Sequence, residues 1–125
     1  SSKKYLKDAI MVTRIPYGEK RSEDDKREEF FDVKEKIPES SVGIKLGLIA
    51  SGKADFFIGN VRMSKWDTCA PQIILEEAGG KITNIHGFPL DYNQPQDKWT
   101  ESFIASNKVL HDSIIKKIKE FYSGK

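Results

Sequence analysis

The stretch Trp66-Asp67-Thr68-Cys69-Ala70-Pro71-Gln72-Ile73-Ile74-Leu75-Glu76-Glu77-Ala78-Gly79-Gly80-Lys81-Ile82-Thr83-Asn84-Ile85 changes its hydrophobic period halfway, and that change decides the fold class. In the first half Trp66, Cys69, Ala70, Ile73, Ile74 and Ala78 recur every three or four residues and draw one apolar stripe down a helix. Asp67 stands where an N-cap belongs. Pro71 falls within the first turn, where amide hydrogens lack an intrahelical partner anyway. Gly79-Gly80 stops the helix, because glycine accepts the left-handed conformation at little cost. Lys81 to Ile85 then alternates as a strand, and Gly87 and Pro89 turn the chain.

The same alternation of periods extends outward. Ala9-Ile10-Met11-Val12-Thr13-Arg14-Ile15 is rich in β-formers and ends at Pro16 and Gly18, which predicts a strand. Ala54-Asp55-Phe56-Phe57-Ile58 predicts a second, and Ser102-Phe103-Ile104-Ala105 a last one. Asn107 to Tyr122 reads as a terminal amphipathic helix with Leu110, Ile114, Ile115, Ile118 and Phe121 facing inward. From Glu19 to Lys36 fourteen of eighteen residues are charged with mixed signs, the pattern of a solvated helix running into a loop. Ser40 to Ser51 stays open. Val42, Ile44, Leu46 and Leu48 alternate like a strand, whereas Ser40 and Ser41 offer an N-cap and Gly43 and Gly47 lie four apart, as on a close-packing helix face. Strands alternating with helices predict an α/β domain over residues 1–125, a layered sheet of about four to five strands flanked by helices.

The chain has 125 residues with 21 Lys and Arg against 19 Asp and Glu. That balance argues against a nucleic-acid binder, in which basic residues dominate one face. The single cysteine, Cys69, leaves no intrachain disulfide and fits a reducing compartment. No apolar run approaches the roughly 18 residues that cross a bilayer, and the first residues carry no signal-peptide pattern. A cytoplasmic protein without membrane partners is the expectation.

Residue chemistry alone marks few sites. His86 and His111 have no acidic or cysteine neighbour at metal-ligand spacing, and both are expected at the surface. Cys69 on the apolar stripe reads as a core thiol. Ser41-Val42-Gly43 before a helix can cradle a phosphate on free amides, or can simply cap. Asp67 at a helix start is held ionised by amide hydrogen bonds and the helix dipole. It can cap the helix or reach outward to a hard cation such as Mg²⁺.

The run Trp66-Asp67-Thr68-Cys69-Ala70-Pro71, then Glu77-Ala78-Gly79-Gly80, Ile82-Thr83, Gly87 and Pro89-Leu90, resembles the C-terminal signature of the inositol monophosphatase family. Ser41 to Ala50 followed by Gly52-Lys53-Ala54-Asp55 resembles the family segment upstream of it. The resemblance is carried by about residues 40–110, and the first 39 match poorly. It implies a Mg²⁺-dependent phosphatase with Asp67 as the catalytic metal ligand. It also implies substrate contacts from the backbone at Ser41 and Val42 and from the Asn60 to Lys65 stretch.

Inositol monophosphatases often carry a glutamate near the position of Asn60, and this chain has none. Lys45, the Thr-Cys-Ala-Pro continuation and Pro89-Leu90-Asp91-Tyr92 look more like the bisphosphate nucleotidases, which remove the 3′-phosphate from adenosine 3′,5′-bisphosphate. There Lys45 would meet the second phosphate; otherwise it is a solvated helix lysine. Inositol phosphate is the other substrate that the resemblance admits, with fructose bisphosphate more distant. A non-catalytic domain binding a phosphorylated ligand or a partner protein is the reading from outside enzymes.

Members of the family also carry an upstream glutamate pair and an Asp-Pro-Ile/Leu-Asp-Gly-Thr motif. This sequence contains no Asp-Pro and no Asp-Gly dipeptide. The resemblance is therefore to the C-terminal half of such an enzyme. It implies that the other half is a necessary partner, that this chain alone is inactive, and that a homodimer is one arrangement open to the complete enzyme.

Overall fold

A computed structural model describes residues 5–13, 23–39, 41–59, 72–90 and 102–124. A short 3₁₀ turn, Leu6–Asp8, leads into β1 (Ile10–Thr13). Then come α1 (Glu23–Glu29), β2 (Glu35–Pro38), α2 (Val42–Ala50) and β3 (Phe56–Gly59). The chain continues through α3, helical over 72–77, to β4 (Gly80–Asn84), β5 (Phe103–Asn107) and α4 (His111–Ser123).

The five strands form one sheet in the order β2-β1-β3-β5-β4. β1 is parallel to β2 and to β3, and β5 is antiparallel to both β3 and β4. Among the described strands β5 alone runs against the rest. The carboxyl ends of the other four therefore gather at one end of the sheet.

Both faces of the sheet are covered, and the pleat of β3 shows how. Phe57 faces one way into a cluster with Val12, Leu46, Ile49, Leu75, Ile82 and Phe103, under α2 and α3. Phe56 and Ile58 face the other way, to Met11, Phe31, Ile104, Leu110, Ile114 and Ile118, under α4. All four residues of β3 and all five of β5 are buried, as expected for central strands covered on both sides. The α/β expectation and its strand number hold.

Several local expectations are corrected. The charged run from Glu19 is not one helix: α1 ends at Glu29 and a strand follows at Glu35–Pro38. Sequence periodicity missed β2 because it is an edge strand with its side chains mostly in solvent. Its pairing comes from the backbone of β1, with Ile10 opposite Glu35 and Val12 opposite Ile37. Nor is α1 wholly solvated. Arg27 is buried and donates from one terminal nitrogen to Ser102 Oγ at 3.1 Å and to the Tyr122 hydroxyl at 3.2 Å.

On α3 the apolar stripe is rotated from its predicted position. Ile73 and Ile74 are 58% and 59% exposed while Leu75 is fully buried. Leu75 packs where glycine leaves room: a Cβ added at Gly80 would lie 2.4 Å from Leu75 Cδ1. The Cys69 and Trp66 end of that stripe lies outside the described residues.

The segment left open between strand and helix is helical over Val42–Ala50. Ser41 Oγ accepts from the Ile44 amide at 3.3 Å, an N-cap bond. Among the described residues nothing lies within 4 Å of a Cβ added at Gly47, so they form no close-packed face there. The terminal helix starts at His111, and Asn107 is the last residue of β5.

Candidate functional site

α2 runs back across the sheet from the end where β1 to β4 finish. Ala54 N–H donates to Leu48 O at 3.1 Å, which fixes the close of α2 beside the start of β3. The opening of α2, at Ser41, therefore stands at the carboxyl ends of β1 and β3, where open α/β sheets hold their ligands. The first-turn amides of a helix have no intrahelical acceptor and carry the positive end of its dipole. Ser41 Oγ takes the Ile44 amide, and the Ser41 amide donates to Glu39 Oε1 at 3.1 Å. Among the described residues a Cβ added at Gly43 would meet only Ser41 Oγ, at 3.8 Å. The helix start is thus capped on one side and open at Gly43, a geometry that suits a phosphate group.

Lys45 lies one turn further in, on the side of α2 that faces the sheet. It is 2% exposed, with its Nζ 5.3 Å from the centroid of the Phe57 ring. Phe57 in turn packs edge-on against Phe103, with centroids 5.8 Å apart. A solvated helix lysine is therefore not what this residue is. Its ammonium is a buried positive charge over an aromatic face, near the open end of α2. The structure thus brings Ser41, Val42 and Lys45 together at one helix start. Asp67 and the Asn60 to Lys65 stretch lie outside the described residues.

Among the described residues no group of three or more His, Cys, Asp or Glu side chains is placed to hold a metal ion. The described part of this end therefore does not by itself fit Mg²⁺. It offers backbone amides and a buried ammonium, which suit an anion.

At the opposite end of the sheet a polar hub ties the layers together. The buried Asp55 carboxylate accepts the Ile10 amide at 2.7 Å through Oδ2 and the Asn107 Nδ2 at 3.0 Å through Oδ1. Asn107 Oδ1 accepts the Leu110 amide at 3.0 Å and so shapes the turn into α4. Next to it His111 is 1% exposed, against the expectation of a surface residue. Its Nδ1 is 2.6 Å from Ser106 Oγ and its Nε2 is 2.7 Å from Thr83 Oγ1. Burial, then the nearby Lys81, lower its pKa from 6.5 to about 4, against a smaller upward pull from Asp112. Sequence reading missed this hub because its members belong to four separate segments. The one available signal was the polar pair Ser106-Asn107 at the end of an otherwise apolar strand.

A mixed five-stranded sheet covered by helices on both faces defines an α/β fold, with one helix start at the strand ends. The family model for the inositol monophosphatase family matches residues 1–122, and the chain belongs to that family. It is 45% identical over 53 residues to rat 3′(2′),5′-bisphosphate nucleotidase 1, covering 42% of this chain and 17% of the relative. It is 28% identical over 123 residues to the inositol-1-monophosphatase of Caulobacter vibrioides, covering 95% and 46%. The solved inositol monophosphatase of Anabaena superposes with a TM-score of 0.79 at 25% identity, over 96% of this chain and 46% of that one. The chain spans less than half the length of each of these proteins. Among the described residues no helix is long and apolar enough to cross a membrane.

Proposed function

We propose that the chain forms the substrate-binding C-terminal half of a Mg²⁺-dependent phosphomonoesterase whose preferred substrate is adenosine 3′,5′-bisphosphate. The observation that carries this reading is the open start of α2, with the buried Lys45 ammonium one turn below it. Backbone amides at Val42 and Gly43 bind the phosphate to be cleaved, and Lys45 adds positive potential that favours a doubly phosphorylated ester. Asp67 serves as a metal ligand, and Mg²⁺ supplies neutralisation of phosphate charge and activation of water. The remaining carboxylates come from the other half of the enzyme, since this sequence has no Asp-Pro or Asp-Gly dipeptide. The 45% identity with the rat nucleotidase supports the nucleotide over other esters. Inositol phosphate is the second reading, supported by the longer match to the Caulobacter enzyme.

The test is hydrolysis of adenosine 3′,5′-bisphosphate and inositol 1-phosphate with Mg²⁺, by this chain alone and by a complete protein containing it. The chain alone is expected to be inactive and the complete protein to prefer the bisphosphate. Turnover by the chain alone that follows the protein through purification overturns the division of ligands. A preference for inositol phosphate transfers the conclusion to the second reading.

A further inference from the structure

On the other face of the sheet from α2, a pocket of about 390 Å³ is lined by Ile85, His86, Ile118, Lys119 and Tyr122. It arises where two elements end together. Ile85 and His86 lie in the turn after β4, and α4 brings its last turns back alongside them. The Ile85 amide donates to Ser102 O at 3.2 Å. Arg27, which also bonds Ser102 Oγ, donates to the Tyr122 hydroxyl. One anchor, Ser102, therefore fixes both walls. The floor is aliphatic: Ile118 is a core residue and Ile85 packs against the same cluster. The polar groups are placed differently. The His86 backbone amide is taken by Asn84 Oδ1 at 2.9 Å, but its exposed imidazole has no partner among the described residues. Nor has the exposed Lys119 ammonium.

An apolar floor and an aromatic wall, with an ammonium and an imidazole at the rim that have no partner among the described residues, make a pocket of ligand size. We propose that it binds a small aromatic anion, a flat ring system bearing a single phosphate or carboxylate. The ring lies on Ile85 and Ile118 against Tyr122. The anionic group meets Lys119, with His86 as a hydrogen-bond donor at the rim. No step of the proposed hydrolysis uses these residues, and the site stands or falls apart from the α2 end.

Amide chemical shifts of the 125-residue chain, titrated with four probes, test it. Adenosine 5′-monophosphate and 2-naphthoate each combine ring and charge, one as a phosphate and one as a carboxylate. Adenosine supplies a ring alone and inorganic phosphate a charge alone. At least one combined probe is expected to shift residues 85–87 and 118–122, with an affinity about tenfold or more above adenosine and inorganic phosphate. Which of the two binds identifies the anionic group. Lys119→Ala should weaken that binding about tenfold without changing the spectrum elsewhere. Tyr122→Leu should weaken it also, and Ser41→Ala, at the α2 end, should leave it unchanged. Shifts confined to the α2 end, equal binding of charged and uncharged probes, or no effect of Lys119→Ala each overturn the proposal.

Discussion

Ser106 Oγ lies 2.6 Å from Nδ1 of His111, inside the junction of β5 and α4, with both residues buried. The direction of this bond follows from the far side of the ring. Thr83 Oγ1 donates its proton to Asn84 O at 2.8 Å, so the same oxygen receives Nε2–H from His111. That leaves Nδ1 as an acceptor for the Ser106 hydroxyl. The imidazole is neutral, with its proton on Nε2. Imidazole ¹⁵N shifts are expected to show an Nε2–H tautomer at neutral pH.

Protonation of His111 disturbs this arrangement, because Nδ1 then becomes a donor and the Ser106 hydroxyl, which had donated to it, must rotate to accept. The folded pKa is about 4 against an ordinary 6.5, so the unfolded chain binds the proton more readily. The stabilisation is fully present above about pH 6.5, declines as pH falls and is lost near pH 4, about 3 kcal/mol in all. Lys81 and Asp112 are the charged neighbours that set the exact window. Urea midpoints of the wild-type chain and His111→Gln, compared from pH 7.5 to 4, check this. Glutamine does not titrate, so the difference between the two proteins should shrink with acid. A constant difference would show that His111 carries its proton equally in both states.

Asp55→Ala removes the acceptor for the Ile10 amide and for Asn107 Nδ2 in one step. Two buried donors then lack partners, at about 1–3 kcal/mol each. Chemical denaturation should show a loss of roughly 2–5 kcal/mol, with Asn107→Ala costing a similar amount, because it too removes two bonds, one to Asp55 Oδ1 and one from the Leu110 amide.

Gly59 is closed to any side chain: an added Cβ would lie 2.2 Å from Cζ of Phe103. Gly59→Ala is expected to cost about 1–3 kcal/mol by overpacking. Combined with Phe103→Leu it should cost less than the sum of the two single changes, a coupling that a double-mutant cycle measures.

Lys45→Met preserves much of the packing over Phe57 and removes the charge. In a complete enzyme the ratio of kcat/KM on adenosine 3′,5′-bisphosphate to that on inositol 1-phosphate should fall about tenfold or more. The ratio cancels a general loss of folded protein. An unchanged ratio would assign Lys45 to the core and withdraw it from substrate choice.

Where a segment carried its own periodicity the sequence was readable. Lys81 to Asn84, Phe103 to Ala105 and Leu110-Ile114-Ile118 are where their patterns put them. Ser41 capping α2 was legible as one of two alternatives. β2 was not, because an edge strand owes its conformation to the β1 backbone and not to its own side chains. The rotation of α3 was hidden for a related reason: Leu75 faces inward because Gly80, on the next element, leaves the space. The burial of Lys45 and His111 was equally out of reach. Both are polar residues held by groups far away in sequence, which no local pattern records. The linked motifs singled out the start of α2, and its part in binding substrate is the proposal made above. Asp67, its other predicted member, lies outside the described residues.

Asp55 fastens a residue 45 positions before it and another 52 positions after it. β3 therefore cannot acquire both neighbours until two long loops have closed. Each closure loses chain entropy before the sheet offers any return, and topologies of this kind fold slowly. While β1 and β5 are still absent, Phe56 and Phe57 sit on a bare strand with both edges open, a template for pairing with another chain. The connection that unites the sheet in the finished molecule is thus the point of greatest exposure during its assembly. Refolding yield should fall with protein concentration most steeply in variants that delay the Asp55 contacts.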